Sequence, residues 1–237
     1  GRNAHVYLLD EAMHMEKIGL ISTNLAEKIA MTVTESPYRV TADIISETCG
    51  QSISHAGAWD LVQRLGERIS AEEEHAVKQM EAGQAEGKKE IPVLFEEMDG
   101  VWLCMQGKDH KKQKKQELKV FTMYEGWEAG NKESRLVNKV MLAGMESSSL
   151  FHEKREALIE KTYNVDEIQQ RVLNGDGGNW IREPYDLETI FQLDRFHIYQ
   201  EIKRKLKEKE AQKAVTELFE AKQIDQMLDT SGFMQTV

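Results

Sequence analysis

VLFEEMDGVWLCMQ, residues 93–106, is where the period of the chain changes. Before Pro92 the apolar residues recur every three or four positions. From Val93 they fall in short runs rich in β-branched and aromatic residues, which is the pattern of strands. Two similar runs follow, ELKVFTMYEGW (117–127) and RLVNKVMLAGM (135–145), and three strands in succession predict an antiparallel meander. SSSLFHEKREALIEKTY predicts a serine-capped helix with Phe151, Ala157, Leu158 and Ile159 on or near its buried side. EIQQRVLNGD predicts a fourth strand and NWIREPYD a short helix or turn. TIFQLDRF (189–196) predicts a fifth strand running into a basic helix that begins near His197.

The resulting order, βββαβαβα, is that of an α/β fold with a ribonuclease-H-like mixed sheet covered by helices on both faces. Four segments are expected: N-terminal helices (1–35), a helix-turn-helix region with a polar helical linker (36–90), the sheet core (91–197), and the start of a helical insertion (198–237). Within the first segment, LLDEAMHMEKIGLIS and NLAEKIAMTV read as helices. Ser36-Pro37 suits a helix start, with Ser36 as N-cap. YRVTADIISET, the turn CGQS and ISHAGAWDLVQRLGERIS, capped by Ser52 or Ser54, have a helix-turn-helix signature. Ser54, His55, Ala58 and Trp59 would then lie where a recognition helix meets base edges. A helix-Gly-helix corner in a core that touches no DNA reads equally well, with Trp59 and Val62 buried. Residues 67–89 read as a solvated acidic helix and linker.

With 237 residues, 40% apolar and 30% charged, the composition is that of a globular protein. No run approaches the roughly 18 apolar residues of a membrane helix and no signal-peptide pattern is present, so the expected location is cytoplasmic. Cys49 and Cys104 form no zinc-type cluster. A formal charge of -10 argues against coating nucleic acid through global charge. Local basic runs remain, in KDHKKQKKQELK (108–119) and KRKLKEK (203–209). Lys111, Lys112, Lys114 and Lys115 either grip phosphates or line a solvated hairpin. The start at GRN and the end at GFMQTV suggest a fragment.

If the first and fourth strands of the core are neighbours, Asp99 and Asp176 meet although 77 residues separate them in sequence. Two carboxylates with phosphate oxygens and water suit Mg2+ (or Mn2+), a hard cation. A pair of such ions supports in-line phosphoryl displacement. Gly100, Gly175, Gly177 and Gly178 are expected to remove bulk where a nucleic-acid backbone approaches. Each aspartate alone reads as well as a turn cap. Alternation puts Glu97 on the face of Asp99 and Glu96 on the other, with Glu97 an auxiliary ligand or an edge residue. Asp194 and His197, three apart in LDRFH, can hydrogen-bond within a helical turn, or Asp194 can simply cap the helix.

MDGVWL, YEGW, VLNGDGGNWI and FQLDRFH, in this order, resemble bacterial insertion-sequence transposases long filed as an uncharacterised family, relatives of the Mutator-like transposases. The resemblance runs from about Pro37 to the C-terminus. It implies a DDE-type enzyme with Asp99 and Asp176 as catalytic, metal-holding acids. Asp194 and His197 match the auxiliary Asp-x-x-His signature. It also implies DNA partners (terminal inverted repeats and target DNA), a homo-oligomer, and cut or joined phosphodiesters. The third acid of such enzymes follows a helical insertion, whose beginning residues 198–228 resemble. Glu201, Glu208, Glu210, Glu217 and Glu220 do not match its context, so this chain alone is expected to be inactive. A nuclease that only hydrolyses, and a DNA-binding remnant without catalysis, are the alternatives.

Overall fold

A computed structural model describes residues 17–18, 21–130, 134–182 and 189–231. Residues 8–16 and 19–20 of the expected helix LLDEAMHMEKIGLIS, and the end of NWIREPYD at 183–186, lie outside the described residues. The chain forms two compact units, Gly1–His75 and Ala76–Val237.

In the first unit, β1 (Lys17–Ile18) pairs antiparallel with β2 (Ile21–Ser22). The end of LLDEAMHMEKIGLIS is therefore extended and not helical. Ser22 caps α1 (Thr23–Glu35), its side chain accepting from the Leu25 N–H. Ser36 is not the cap of the next helix as expected. It closes α1, its Oγ donating to Thr32 O and bonding Thr41 Oγ1, and Pro37 precedes α2 (Tyr38–Cys49) as the residue outside the first turn. Gly50 ends α2 in the left-handed region at φ 63°, the usual stop for a helix. Ser54, one of the two serines expected to cap α3 (His55–Glu81), accepts from the Gly57 N–H at 3.0 Å. Ala26, Ile29, Ile45, Ala58 and Leu61 form the core of these three helices.

In the second unit, residues 76–81 of α3 are not wholly solvated. Ala76, Val77 and Met80 make an apolar strip that packs on Ala157. Two long strands then form a hairpin, β3 (Val93–Cys104) and β4 (Lys115–Tyr124), whose tip carries the short helix α4 (Gly107–Lys112). The run expected as one third strand is divided. β5 (Trp127–Ala129) and β6 (Ser134–Leu136) pair as a separate small hairpin, and β7 (Val140–Gly144) joins the main sheet. The division falls at Asn138, which adopts φ 51° and turns the chain.

α5 (Ser148–Thr162) is capped by Ser147, as a serine cap was expected. A 3-10 turn leads to β8 (Gln170–Gly175), followed by α6 (Asn179–Arg182) and β9 (Thr189–Leu193). The main sheet has the order β7-β4-β3-β8-β9. The meander β3, β4, β7 is antiparallel, while β8 and β9 run parallel to β3, so the sheet is mixed. Leu94, Met98, Phe121, Leu142, Phe151 and Ile159 lie in the core between one sheet face and α5.

The helix expected over 198–228 is three helices, α7 (Arg195–Lys205), α8 (Lys209–Glu220) and α9 (Ile224–Ser231). Lys222, at φ 58°, makes the second break. Ile202, Val215 and Met227 give the three a core of their own. Among the described residues no helix is long and apolar enough to cross a membrane.

Candidate metal centre

β8 ends opposite the middle of β3, with Gly175 in register with Met98. The next residue in each segment is an aspartate, so Asp176, just past the carboxyl end of β8, emerges beside Asp99 in the middle of its parallel neighbour β3. Open α/β sheets place their ligands at that edge. β9 ends at the same level, Gly175 in register with Leu193, and the Asp194 N–H donates to Gly175 O at 2.9 Å. The chain turns there into α7, which brings His197 over the edge. Asp99, Asp176 and His197 each offer one ligand atom, all within 4.8 Å of one another, a group that could hold a metal ion.

Local backbone bonds set the two carboxylates. The Gly100 N–H donates to Asp99 Oδ1 at 2.7 Å, and the Gly178 N–H to Asp176 Oδ1 at 2.8 Å. Each keeps its Oδ2 for another ligand. Asp194 does both of the things its spacing allowed. Oδ1 accepts from the Phe196 N–H at 3.3 Å as the cap of α7, and Oδ2 lies 2.9 Å from His197 Nδ1. With Nδ1 occupied, Nε2 is the nitrogen left to a ligand, the usual division of labour in a carboxylate-histidine-metal arrangement.

The cleft around these groups measures about 290 Å³ and is lined also by Glu97, Val120, Thr122 and Asn174. Glu97 shares the face of Asp99, as alternation predicts, and is exposed where it lines the cleft. The Tyr124 hydroxyl donates to Glu97 Oε1 at 2.9 Å. Burial, then this bond to the carboxylate, hold the Tyr124 phenol well above its ordinary value, so it stays a donor. On the opposite face Glu96 is fully buried between Arg155 (2.5 Å) and Arg171 (2.7 Å), and Arg171 also bonds Glu156 at 3.0 Å. Sequence reading placed Glu96 on that face but missed both arginine partners. Arg155 and Arg171 lie far from Glu96 in the sequence, and only folding sets them against one carboxylate.

The glycines act differently from expectation. Gly175 is buried, and a Cβ there would meet Ile181 Cγ2 at 2.8 Å. A Cβ on Gly100 would strike the Glu117 carboxylate. These two make room for the protein's own side chains rather than for a ligand. Gly177 turns the chain at φ 82°.

Lys111, Lys112, Lys114 and Lys115 are exposed at the tip of the β3–β4 hairpin, which outruns β8 beyond Asp99. In the first unit, Ser54, His55 and Trp59 are exposed at the start of α3, whereas Ala58 is fully buried in the core. Trp59 is thus no core residue, at 51% exposure.

These features define a mixed α/β protein with an open carboxylate-histidine group at its sheet edge. The uncharacterised protein family UPF0236 matches residues 2–226, and the chain belongs to that family. It is 24% identical over 94% of its length to the UPF0236 protein in the vanSb 3′ region of Streptococcus gallolyticus, covering 49% of that protein. It is 23% identical over 82% of its length to a UPF0236 protein of Caldanaerobacter subterraneus subsp. tengcongensis, covering 38% of it. The name of that second relative joins eleven locus designations. The chain thus spans half or less of the length of these curated relatives.

Proposed function

We propose that this chain is the N-terminal and core part of a DDE-type DNA transposase, and that its sheet is a ribonuclease-H-like core. The observation that carries the reading is the convergence of ligand atoms of Asp99, Asp176 and His197 within 4.8 Å where β8 and β9 end beside the middle of β3. The strand order β7-β4-β3-β8-β9, antiparallel on one side and parallel on the other, supports the topology. The eleven locus designations borne by one relative support a mobile sequence, since an element that copies itself leaves many near-identical loci.

The donor set fits Mg2+ or Mn2+. Two exposed carboxylates supply the hard oxygen ligands both ions take, and the imidazole is a softer third donor. When bound, such an ion activates an attacking oxygen and stabilises the leaving one. The chain's own residues orient it. The Gly100 and Gly178 amides fix the two carboxylates, and Asp194 fixes the His197 tautomer. Glu201 pairs with Arg204 and Glu217 with Lys213, so these glutamates serve helix surfaces. In the intact enzyme the third acid is supplied from outside this chain. The partners are the element's terminal inverted repeats and target DNA, contacted through Ser54, His55 and Trp59 and through the hairpin lysines, by an oligomer of the enzyme.

A plasmid nicking and strand-transfer assay in Mn2+, run on this chain and on the longer protein with D99N and D176N variants of each, tests the proposal. Transfer by the longer protein that both substitutions abolish supports a transposase. Nicking without transfer would favour a nuclease that only hydrolyses. Sequence-specific DNA binding with neither activity would make the chain a DNA-binding remnant.

A further inference from the structure

Between the two aspartate motifs lies YEGW, which the metal centre does not use. Phe95, Glu97 and Asp99 form one row on one face of β3, and Tyr124 lies directly across from Phe95 on β4. The Phe95 and Tyr124 rings stack with centroids 5.6 Å apart and planes 12° from parallel. After Gly126 the chain returns as β5, and Trp127 closes on both rings, at 4.6 Å from Phe95 and 5.4 Å from Tyr124. Trp127 nevertheless keeps 54% of its surface open to solvent. A single exposed tryptophan is ordinary. This one is held in place by two rings and by the strand pairing of Trp127 with Leu136. It is tied to the cleft as well, since Tyr124 donates its hydroxyl proton to Glu97, which lines it.

We propose that Trp127 is a stacking platform for an unpaired nucleobase of the DNA whose phosphodiester enters the cleft. This rests on the phosphodiester reading above and specifies its substrate as DNA with a frayed or single-stranded end. Phe95 lies four residues from Asp99, about 13 Å along an extended strand, so the platform meets a base within a few nucleotides of the reacting phosphate. The surroundings favour a base over a phosphate. Glu97, bonded to the shelf by Tyr124 and lining the cleft beside it, repels a backbone but not the face of a neutral base. Aromatic stacking tolerates any base, as an enzyme that must open different flanking sequences requires.

The test is equilibrium binding of this chain, in Ca2+, to a blunt duplex and to the same duplex with a short 3′ overhang carrying 2-aminopurine. The expected result is quenching of the 2-aminopurine and tighter binding of the overhang. Trp127→Leu should lose the quenching and about 5- to 100-fold of the preference. Trp127→Phe should keep part of both, which a folding defect would not allow. Equal binding and unchanged fluorescence with Trp127→Leu would overturn the platform while leaving the phosphodiester reading intact. No binding of either duplex by the wild type would defeat both. A change in self-association alone, seen by sedimentation, would give the shelf to another protein chain and overturn the proposal.

Discussion

Asp194 caps a helix with one oxygen and orients a histidine with the other, so removing it separates two functions that a single substitution at Asp99 could not. Asp194→Asn keeps a capping oxygen but replaces the carboxylate that faces His197 with a neutral amide. Mn2+ affinity, measured by isothermal titration, should fall about 10- to 100-fold while the thermal midpoint changes little. Unchanged affinity would show that His197 is not oriented for a metal. Glu96 presents the opposite case, a carboxylate with no solvent and two arginines. Glu96→Ala leaves Arg155 buried without its main partner and should cost about 3–5 kcal/mol in urea denaturation. A loss under 1 kcal/mol, roughly that of a surface pair, would mean that water reaches the arginines.

At the scale of elements, Glu125, just after β4, clasps three separate segments to the sheet. It takes Lys89 at 2.5 Å from the segment before β3, the Tyr163 hydroxyl at 3.0 Å from the end of α5, and the Asn138 amide at 2.8 Å from the turn before β7. Burial alone would raise its pKa, but the bonds from Lys89, Asn138 and Tyr163 outweigh burial and hold it below the ordinary 4.5. A depressed carboxyl contributes stability that is present above the unfolded value and lost as pH falls through the folded one. Stability should therefore decline below about pH 4.5, and Glu125→Gln should make that decline shallower in acid titrations followed by circular dichroism. Glu160 acts in the opposite sense, its carboxyl raised by burial and then by Glu156, so the comparison with Glu125→Gln isolates the clasp. An identical acid limb in both proteins would remove Glu125 from the account.

For the whole molecule, the charge of -10 means that the proposed DNA contact has to come from local features. The β3–β4 hairpin, whose tip extends past the last paired residue of β8, offers four exposed lysines on a stiff two-stranded arm. Replacing Lys111, Lys112, Lys114 and Lys115 by glutamine should weaken binding to all duplexes alike. It should also flatten the salt dependence by about 0.9 in log-log slope for each phosphate that the arm no longer neutralises. A change in sequence preference instead would mean that the arm reads bases. Preference is expected to follow Ser54, His55 and Trp59, whose exposure at the start of α3 matches a reading role better than a packing one.

Much of this was legible before folding because it depends on period and spacing. The change at Val93, the serine caps at Ser54 and Ser147, and the pairing of Asp194 with His197 are local, set by what neighbouring residues can reach. Errors came where a local pattern had two outcomes. RLVNKVMLAGM is strand-like throughout, and only pairing with β4 on one side and β5 on the other divided it at Asn138. The charged run after His197 is helical throughout, yet burying Ile202, Val215 and Met227 together required it to fold back twice. The sequence by itself determined which residues could be ligands and which strands could form. The tertiary structure alone decided that Asp99, Asp176 and His197 meet, and that Arg155 and Arg171 neutralise Glu96. Those groups lie far apart in the chain, and the register between β3, β8 and β9 brings them together at one edge.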